Sequence, residues 1–183
     1  MSDKLKNLEI IQVENLSIVS LKIDQASVNE ATERIELAKP LTRMKTEEDI
    51  LWLAPNHWLL VSKATDSKMI VKKYNDELTG LNFNLTDQSS GVAVIRLSGL
   101  CCREILSMGS GLDCRIDKLT IGACCTTNLA RIPVTVVVIE SGLLELYLDS
   151  SYETYLMNWL LDCNRIRELA DANNHPMRLE ALS

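Results

Sequence analysis

The chain has 183 residues, of which 46% are hydrophobic and 24% charged, with a formal net charge of −6. This balance is typical of a globular protein, and the length is sufficient to bury a core without disulfides or metals. The 19 basic residues are scattered along the sequence. Composition therefore gives no electrostatic footprint for nucleic acid or for an anionic membrane, and we expect neither as a partner.

The amino terminus indicates the compartment. It is polar and lacks the small-residue cleavage site of a signal peptide, so we expect a cytoplasmic protein. The most apolar run, Val134 to Ile139, is too short to span a bilayer and is predicted to be a buried strand.

We expect the cysteines to be reduced thiols, because the cytosol keeps thiols reduced. The chain has six, at Cys101-Cys102, Cys114, Cys124-Cys125 and Cys163, without a C-x-x-C spacing or a nearby histidine pair. Adjacent cysteines are poor joint ligands for one tetrahedral zinc ion. The sequence favours cysteines that fill a core, and a zinc-binding module is the alternative.

The first half of the sequence predicts, in order, a strand, a helix, a hairpin, a second helix and a second strand. Leu16 to Ile23 alternates as a strand buried on both faces, and Ser27 to Glu30 has the form of a capping box. Four apolar residues at helical spacing follow and Pro40 closes the segment: Val28, Ala31, Ile35 and Ala38. A polar stretch, Thr42 to Asp49, then leads into a second set of elements. These are a tryptophan hairpin over Leu51 to Val61 and a helix over Ser67 to Leu78, which Gly80 ends.

The second half repeats that order. The pattern predicts a strand over Val92 to Ser98 and a helix over Leu100 to Met108 that ends at Gly109. Cys125 to Ile139 reads as one strand with Pro133 at a bulge or edge, and Ser141-Gly142 turns it back into Leu143 to Leu148. A second capping box, Ser150 to Glu153, opens the last helix, which frays toward Asn173 to Pro176. Its apolar stripe consists of Tyr152, Tyr155, Leu156, Trp159, Leu160 and Cys163.

This order predicts an α+β fold made of two ferredoxin-like, or split βαββαβ, halves packed together. The halves are expected at residues 1–88 and 89–183, with the division near Ser89 to Gly91 and with one integrated domain as the other possibility. No linker rich in glycine, proline or serine separates them.

Few residues are available for catalysis or ligand binding. His57 lies in the hairpin turn and His175 in a tail before Pro176, while Asp87-Gln88-Ser89-Ser90 is first of all an Asx turn. Gly109-Ser110-Gly111 reads as a helix stop and a turn, because no lysine and no helix signal follow it. We therefore predict no catalytic, cofactor-binding or metal-binding residue in this chain. Trp52 and Trp58 are six apart, so one of them is a candidate for an exposed partner surface.

The motifs together carry a family resemblance. The chain resembles the gamma subunit of heterotetrameric sarcosine oxidase over roughly Leu16 to Cys163, although it has Ala54-Pro55-Asn56-His57-Trp58 where the family usually has Gly-Pro-Asp-Glu-Trp. No single motif is decisive, and the resemblance depends on the order and spacing of the motifs together. The segments involved are the hairpin, Asp87 to Gly91, Val92 to Leu106, Ile121 to Thr127 and Ser150 to Asp162.

The resemblance implies a fold similar to the folate-binding domain of aminomethyltransferases, in a scaffold subunit without a flavin. It implies alpha, beta and delta partner subunits that hold FAD, FMN, NAD, zinc and the folate site. The complex would oxidatively demethylate sarcosine to glycine, with hydrogen peroxide and, with tetrahydrofolate, 5,10-methylenetetrahydrofolate as products.

The alternative from another class is a stand-alone folate-binding one-carbon transferase or regulator of the same superfamily. Related iron-sulfur-assembly proteins carry Lys-Gly-Cys-aromatic-x-Gly-Gln-Glu, whereas the comparable segment here, Thr120 to Thr127, lacks that signature. This absence makes the alternative weaker than the scaffold.

Overall fold

The computed structural model describes residues 8–174, which form ten strands, four α-helices and one short 3₁₀ helix. The strands are β1 Glu9–Gln12, β2 Ser17–Ile23, β3 Arg43–Lys45, β4 Asp49–Ala54, β5 His57–Ser62, β6 Phe83–Asp87, β7 Val92–Ser98, β8 Cys124–Leu129, β9 Ile132–Glu140 and β10 Leu143–Asp149. The helices are α1 Val28–Arg34, α2 Ser67–Glu77, α3 Cys102–Gly109 and α4 Glu153–Asn174, the last preceded by the 3₁₀ helix Ser150–Tyr152. Within this part of the chain, no helix combines the length and apolar character needed to cross a bilayer.

Two five-stranded antiparallel sheets organise these elements, with the orders β3-β4-β5-β2-β6 and β1-β7-β10-β9-β8. Without the edge strand β3, the first sheet and its helices have the order and pairing of a split βαββαβ unit. The second sheet has the same arrangement, with β8 in the place of β3 and β1 in the place of the fourth strand. The prediction of an α+β fold with two ferredoxin-like halves is confirmed.

Strand β1 crosses the predicted division between the halves. Glu9–Gln12 belongs to the first half by sequence but pairs antiparallel with β7, with Glu9 opposite Ser98. The second sheet therefore takes its edge strand beside β7 from the amino-terminal segment.

The core is divided into three clusters by the two sheets. Residues on the inner sheet faces form one cluster, to which Ile18, Leu51 and Leu59 contribute from the first sheet and Val94 and Val137 from the second. The outer face of the first sheet packs with residues of α1 and α2, and that of the second sheet with residues of α3 and α4. The layers therefore follow the order helix, sheet, sheet, helix.

The first helix is shorter than predicted, and its capping box does not form. It ends at Arg34, because Ile35 has an extended backbone with φ −130° and ψ 146°. Ser27 has a helical backbone and makes no side-chain cap, and its hydroxyl instead accepts from the amide of Asn82 at 3.1 Å. Ser27 therefore joins the start of α1 to the segment before β6.

The prediction of a second capping box over Ser150 to Glu153 is also wrong. Asp149 caps the 3₁₀ helix by accepting from the amide of Ser151 at 2.9 Å, and α4 begins only at Glu153. The predicted apolar stripe is buried at Leu156, Leu160 and Cys163, but Tyr152 and Tyr155 are exposed. The predicted fraying runs into His175 and Pro176, which lie outside the described residues.

The single strand predicted over Cys125 to Ile139 is two strands joined by a tight turn. Ala130 and Arg131 both have positive φ, 50° and 70°, which is the geometry of a type I′ hairpin. Pro133 precedes the segment of β9 that pairs with β10, where its missing N–H does not interrupt that ladder.

The tryptophan hairpin is confirmed, with Asn56 at φ 61° in its turn. Trp52 and Trp58 lie directly opposite each other across it, with a register shift just after Trp52. Trp58 is buried and donates its indole N–H to the carbonyl of Ala38 at 2.9 Å, and the partly buried Trp52 packs against the same cluster. The expectation that one of them faces outward is wrong, because cross-strand partners share a sheet face.

Candidate functional site

A charged cleft of about 320 Å³ opens between the two sheets. The first sheet contributes Arg43 and Asp49 to its lining, and the second contributes Arg96, Glu145 and Tyr147. Alternation positions the last two, because Leu144, Leu146 and Leu148 of β10 face the helices while Glu145 and Tyr147 face the other sheet.

Glu145 is the centre of the second-sheet group. It lies directly opposite Arg96 across the β7–β10 ladder, and the Nε of Arg96 donates to its Oε1 at 3.0 Å. The hydroxyl of Tyr147 donates to its Oε2 at 2.8 Å. Since Glu145 is only 7% exposed, these bonds satisfy both oxygens of a buried carboxylate.

The phenol of Tyr147 is held in its neutral form. Burial, and then the neighbouring carboxylate of Glu145, raise the pKa of Tyr147 well above its usual value. A neutral phenol can donate to Glu145 throughout the physiological range.

The first-sheet group is a close ion pair. The Nε of Arg43 donates to Oδ1 of Asp49 at 2.7 Å, and the charges of both residues act on Tyr147. The carboxylates of Asp49 and Glu145 are thus both paired with arginines, whereas no ion pair is found for the lining residues Lys45 and Lys63 among residues 8–174. Each ion pair joins two strands of the same sheet, and pairing with an arginine makes each carboxylate poorly suited to act as a general base.

His57 forms a second polar contact on the first sheet. Its Nε2 lies 2.9 Å from the hydroxyl oxygen of Ser20, and Lys22 is its direct cross-strand partner. Burial, and then Lys22, lower the pKa of His57, so the ring is neutral at pH 7. A neutral histidine beside a serine has the form of a nucleophile and base, but Ser20 is only 3% exposed. The pair therefore reads as a packing contact.

Asp87 is used for local structure, as the Asx-turn prediction states. Its Oδ1 accepts from the amide of Ser89 at 3.0 Å, and its Oδ2 accepts from the hydroxyl of Ser67 at 2.6 Å. The bonds from Ser67 and Ser89 lower the pKa of Asp87. The carboxylate therefore ties the start of α2 to the end of β6. His175, the other histidine considered, lies outside the described residues.

The cysteines are dispersed through the fold and form no disulfide with one another. Cys102, Cys114, Cys124 and Cys163 are buried, which confirms their predicted place in the core, and Cys101 and Cys125 are partly buried. The Sγ of Cys124 on β8 donates to the carbonyl of Trp52 on β4 at 3.2 Å, a bond between the two sheets. No group of three or more potential metal ligands is found within residues 8–174.

The predicted helix stop at Gly109 is confirmed, because α3 ends at that residue.

The residues of the cleft were not predicted from the sequence. The usable signal was a charged residue inside an otherwise apolar strand, as with Arg96 in Val92–Ser98 and Glu145 in Leu143–Asp149. A charged side chain that points into the protein is costly unless it is paired. Arg96 and Glu145 therefore each predict a partner of opposite charge. The identity of that partner depends on strand register.

The comparisons with known proteins agree with the fold. The family model described as "Sarcosine oxidase, gamma subunit family" matches residues 23–165. Among curated protein sequences, none matches significantly.

The solved structures that match this chain include two with TM-scores above 0.6. One is heterotetrameric sarcosine oxidase from Corynebacterium sp. U-96 in complex with pyrrole 2-carboxylate, at 19% identity and TM-score 0.76, with 86% of this chain and 84% of that chain covered. The other is the glycine cleavage system aminomethyltransferase T from Bartonella henselae, at 14% identity and TM-score 0.62, with 85% of this chain and 46% of that chain covered. At these identities, both similarities establish the fold alone.

Proposed function

Because the chain belongs to the sarcosine oxidase gamma subunit family, we propose that it is a non-catalytic structural subunit of a heterotetrameric sarcosine oxidase. The family match over residues 23–165 is the observation that carries this proposal. The pairing of Asp49 with Arg43 and of Glu145 with Arg96 supports it, because a carboxylate already paired with an arginine is poorly suited to accept a substrate proton.

The partners in this proposal are alpha, beta and delta subunits that hold FAD, FMN, NAD and zinc. The complex would act in the cytoplasm, oxidising sarcosine to glycine with release of hydrogen peroxide and, with tetrahydrofolate, of 5,10-methylenetetrahydrofolate. This chain would contribute stability and assembly to the complex.

Co-expression tests the proposal. The tagged chain should be expressed with the alpha, beta and delta chains from the same source and purified by its tag alone. A flavin-coloured complex with a fixed ratio of the four chains is expected, while the chain expressed alone should be colourless. Recovery of the tagged chain alone from the co-expression, without flavin, would contradict the proposal.

A further inference from the structure

Helix α4 carries a largely apolar stripe that the described residues, 8–174, leave mostly uncovered. Its buried side packs on the second sheet through Leu156 and Leu160. Beside that side lies a second row at intervals of four, three, four and three residues, called here the outer stripe: Tyr155, Trp159, Asp162, Ile166 and Leu169. At 3.6 residues per turn, these positions fall on one face of the helix.

The outer stripe is exposed at three of its apolar positions. Tyr155 is 53% exposed, Ile166 62% and Leu169 58%, while Trp159 is partly buried against the second-sheet core. Exposed apolar residues aligned on one face of a helix mark an interaction site more often than scattered single residues do. The alternation of three and four is the spacing by which one helix packs against another.

Asp162, at the centre of the outer stripe, indicates the charge that a partner bound to this surface must carry. It is exposed, and no ion pair or hydrogen bond of its side chain is found within residues 8–174, although Arg165 lies one turn further along. A helix that covered the stripe would remove this carboxylate from water. Because an unpaired buried carboxylate is costly, the covering helix must place a lysine or arginine opposite Asp162.

A second copy of this chain does not meet that requirement. The outer stripe is centred on Asp162, with two apolar positions on either side. Two copies packed stripe to stripe, whether parallel in register or antiparallel, would therefore place one Asp162 against the other. Like charges at the centre of an interface oppose such a dimer.

We propose that the outer stripe is the docking surface for an amphipathic helix of a partner subunit, which presents an apolar heptad stripe and a lysine or arginine to Asp162. The inference rests on the proposed function, since it requires a partner subunit. It adds the surface used and the chemistry of the occupant.

Two substitutions in the full chain test the surface within the co-expressed complex. Ile166→Lys places a charge in the stripe but retains helicity, because Asp162 four residues earlier can pair with the new lysine. Asp162→Lys reverses the central charge. The matched control is Met69→Lys on α2, where Met69 is 66% exposed. We expect each stripe variant to lower recovery of the partner chains at least tenfold, with an unchanged melting temperature of the isolated chain, and we expect the control to assemble like the wild type.

Photo-crosslinking from a benzoylphenylalanine at position 169 identifies the occupant. The expected product joins this chain to a helical segment of a partner subunit, and replacing the basic residue of that segment by glutamate should restore assembly of Asp162→Lys. Crosslinks to residues 175–183 or to a second copy would overturn the inference. Normal assembly of both stripe variants would overturn it while leaving the proposed function intact, whereas failure of the wild type to assemble would overturn the proposed function itself.

Discussion

Gly109 at the end of α3 lies directly against the indole ring of Trp159 on α4, and a Cβ at position 109 would come within 2.5 Å of Cζ2 and Cη2 of that ring. A side chain at position 109 would therefore displace the ring. Gly109→Ala should lower the free energy of unfolding by about 1–3 kcal/mol, the usual cost of overpacking. Denaturant unfolding measures this change.

A double-mutant cycle attributes the loss to that contact. Trp159→Phe removes the two ring atoms involved, so Gly109→Ala should cost much less when combined with Trp159→Phe than in the wild type. An equal cost in both backgrounds would show that the strain lies elsewhere.

Tyr147 should stabilise the protein through its bond to Glu145. Tyr147→Phe leaves Oε2 of the buried carboxylate without this donor, and the expected loss is about 1–3 kcal/mol in urea unfolding. Tyr152→Phe is the control, because Tyr152 is 47% exposed and a surface change of this kind should stay within about 0.5 kcal/mol. Equal effects of the two substitutions would mean that the cleft contact contributes nothing measurable.

Arg131 is a residue at which the chain carries backbone strain. It is exposed and has φ 70°, a conformation that glycine adopts without steric cost. Relief of that cost, about 1–2 kcal/mol, exceeds the entropic penalty of glycine, so Arg131→Gly should stabilise the protein by about 0.5–1 kcal/mol. Arg131→Ala is the matched control and should bring no gain, since alanine retains the Cβ. A rise in melting temperature for alanine equal to that for glycine would contradict the strain explanation.

Stability should fall as the pH rises above 9, with Cys124 as one cause. Burial, and then Cys125, raise the pKa of the Cys124 thiol from 9.0 to about 12. Between these values the unfolded chain loses the thiol proton while the folded chain keeps it, so the unfolded state binds fewer protons and stability decreases with pH. One proton corresponds to about 1.4 kcal/mol per pH unit.

Cys124→Ala isolates that contribution. Unfolding free energies at pH 8, 9, 10 and 11 should decline less steeply in this variant than in the wild type by up to that slope. The decline should not vanish, because burial also raises the pKa of Cys102, Cys114, Cys125 and Cys163. Parallel pH profiles would show that the Cys124 thiol ionises equally in both states.

The sequence predicts local elements well where alternation or helical spacing is strong. Strand Val92–Ser98 and helix α2 are examples, and the repeated order of elements gives the fold class. The β8–β9 turn is not predictable in this way, because Ala130-Arg131 is not a sequence that favours positive φ. Strand β1 escapes prediction because only its pairing with β7, far along the chain, makes it a strand.

The cleft escapes prediction for a related reason. The side chains of Arg96 and Glu145 meet across a separation of 49 residues, which depends on the β7–β10 register. By contrast, Asp87 and Ser89 interact over two residues, and the Asx turn can be predicted from sequence alone. The candidate site is thus a product of topology, while the turns are local.

As a non-catalytic subunit, this chain should stabilise the complex and take no part in its chemistry. The most direct test is steady-state turnover of the purified complex, normalised to bound flavin, for His57→Ala and Asp87→Ala beside the wild type. We expect turnover per flavin within about twofold of the wild type, and any loss should appear in the yield of assembled complex. A general acid or base contributes a factor of roughly 10² to 10⁴. A fall of a hundredfold in turnover, with assembly and melting temperature unchanged, would contradict the structural role and assign a catalytic role to this chain.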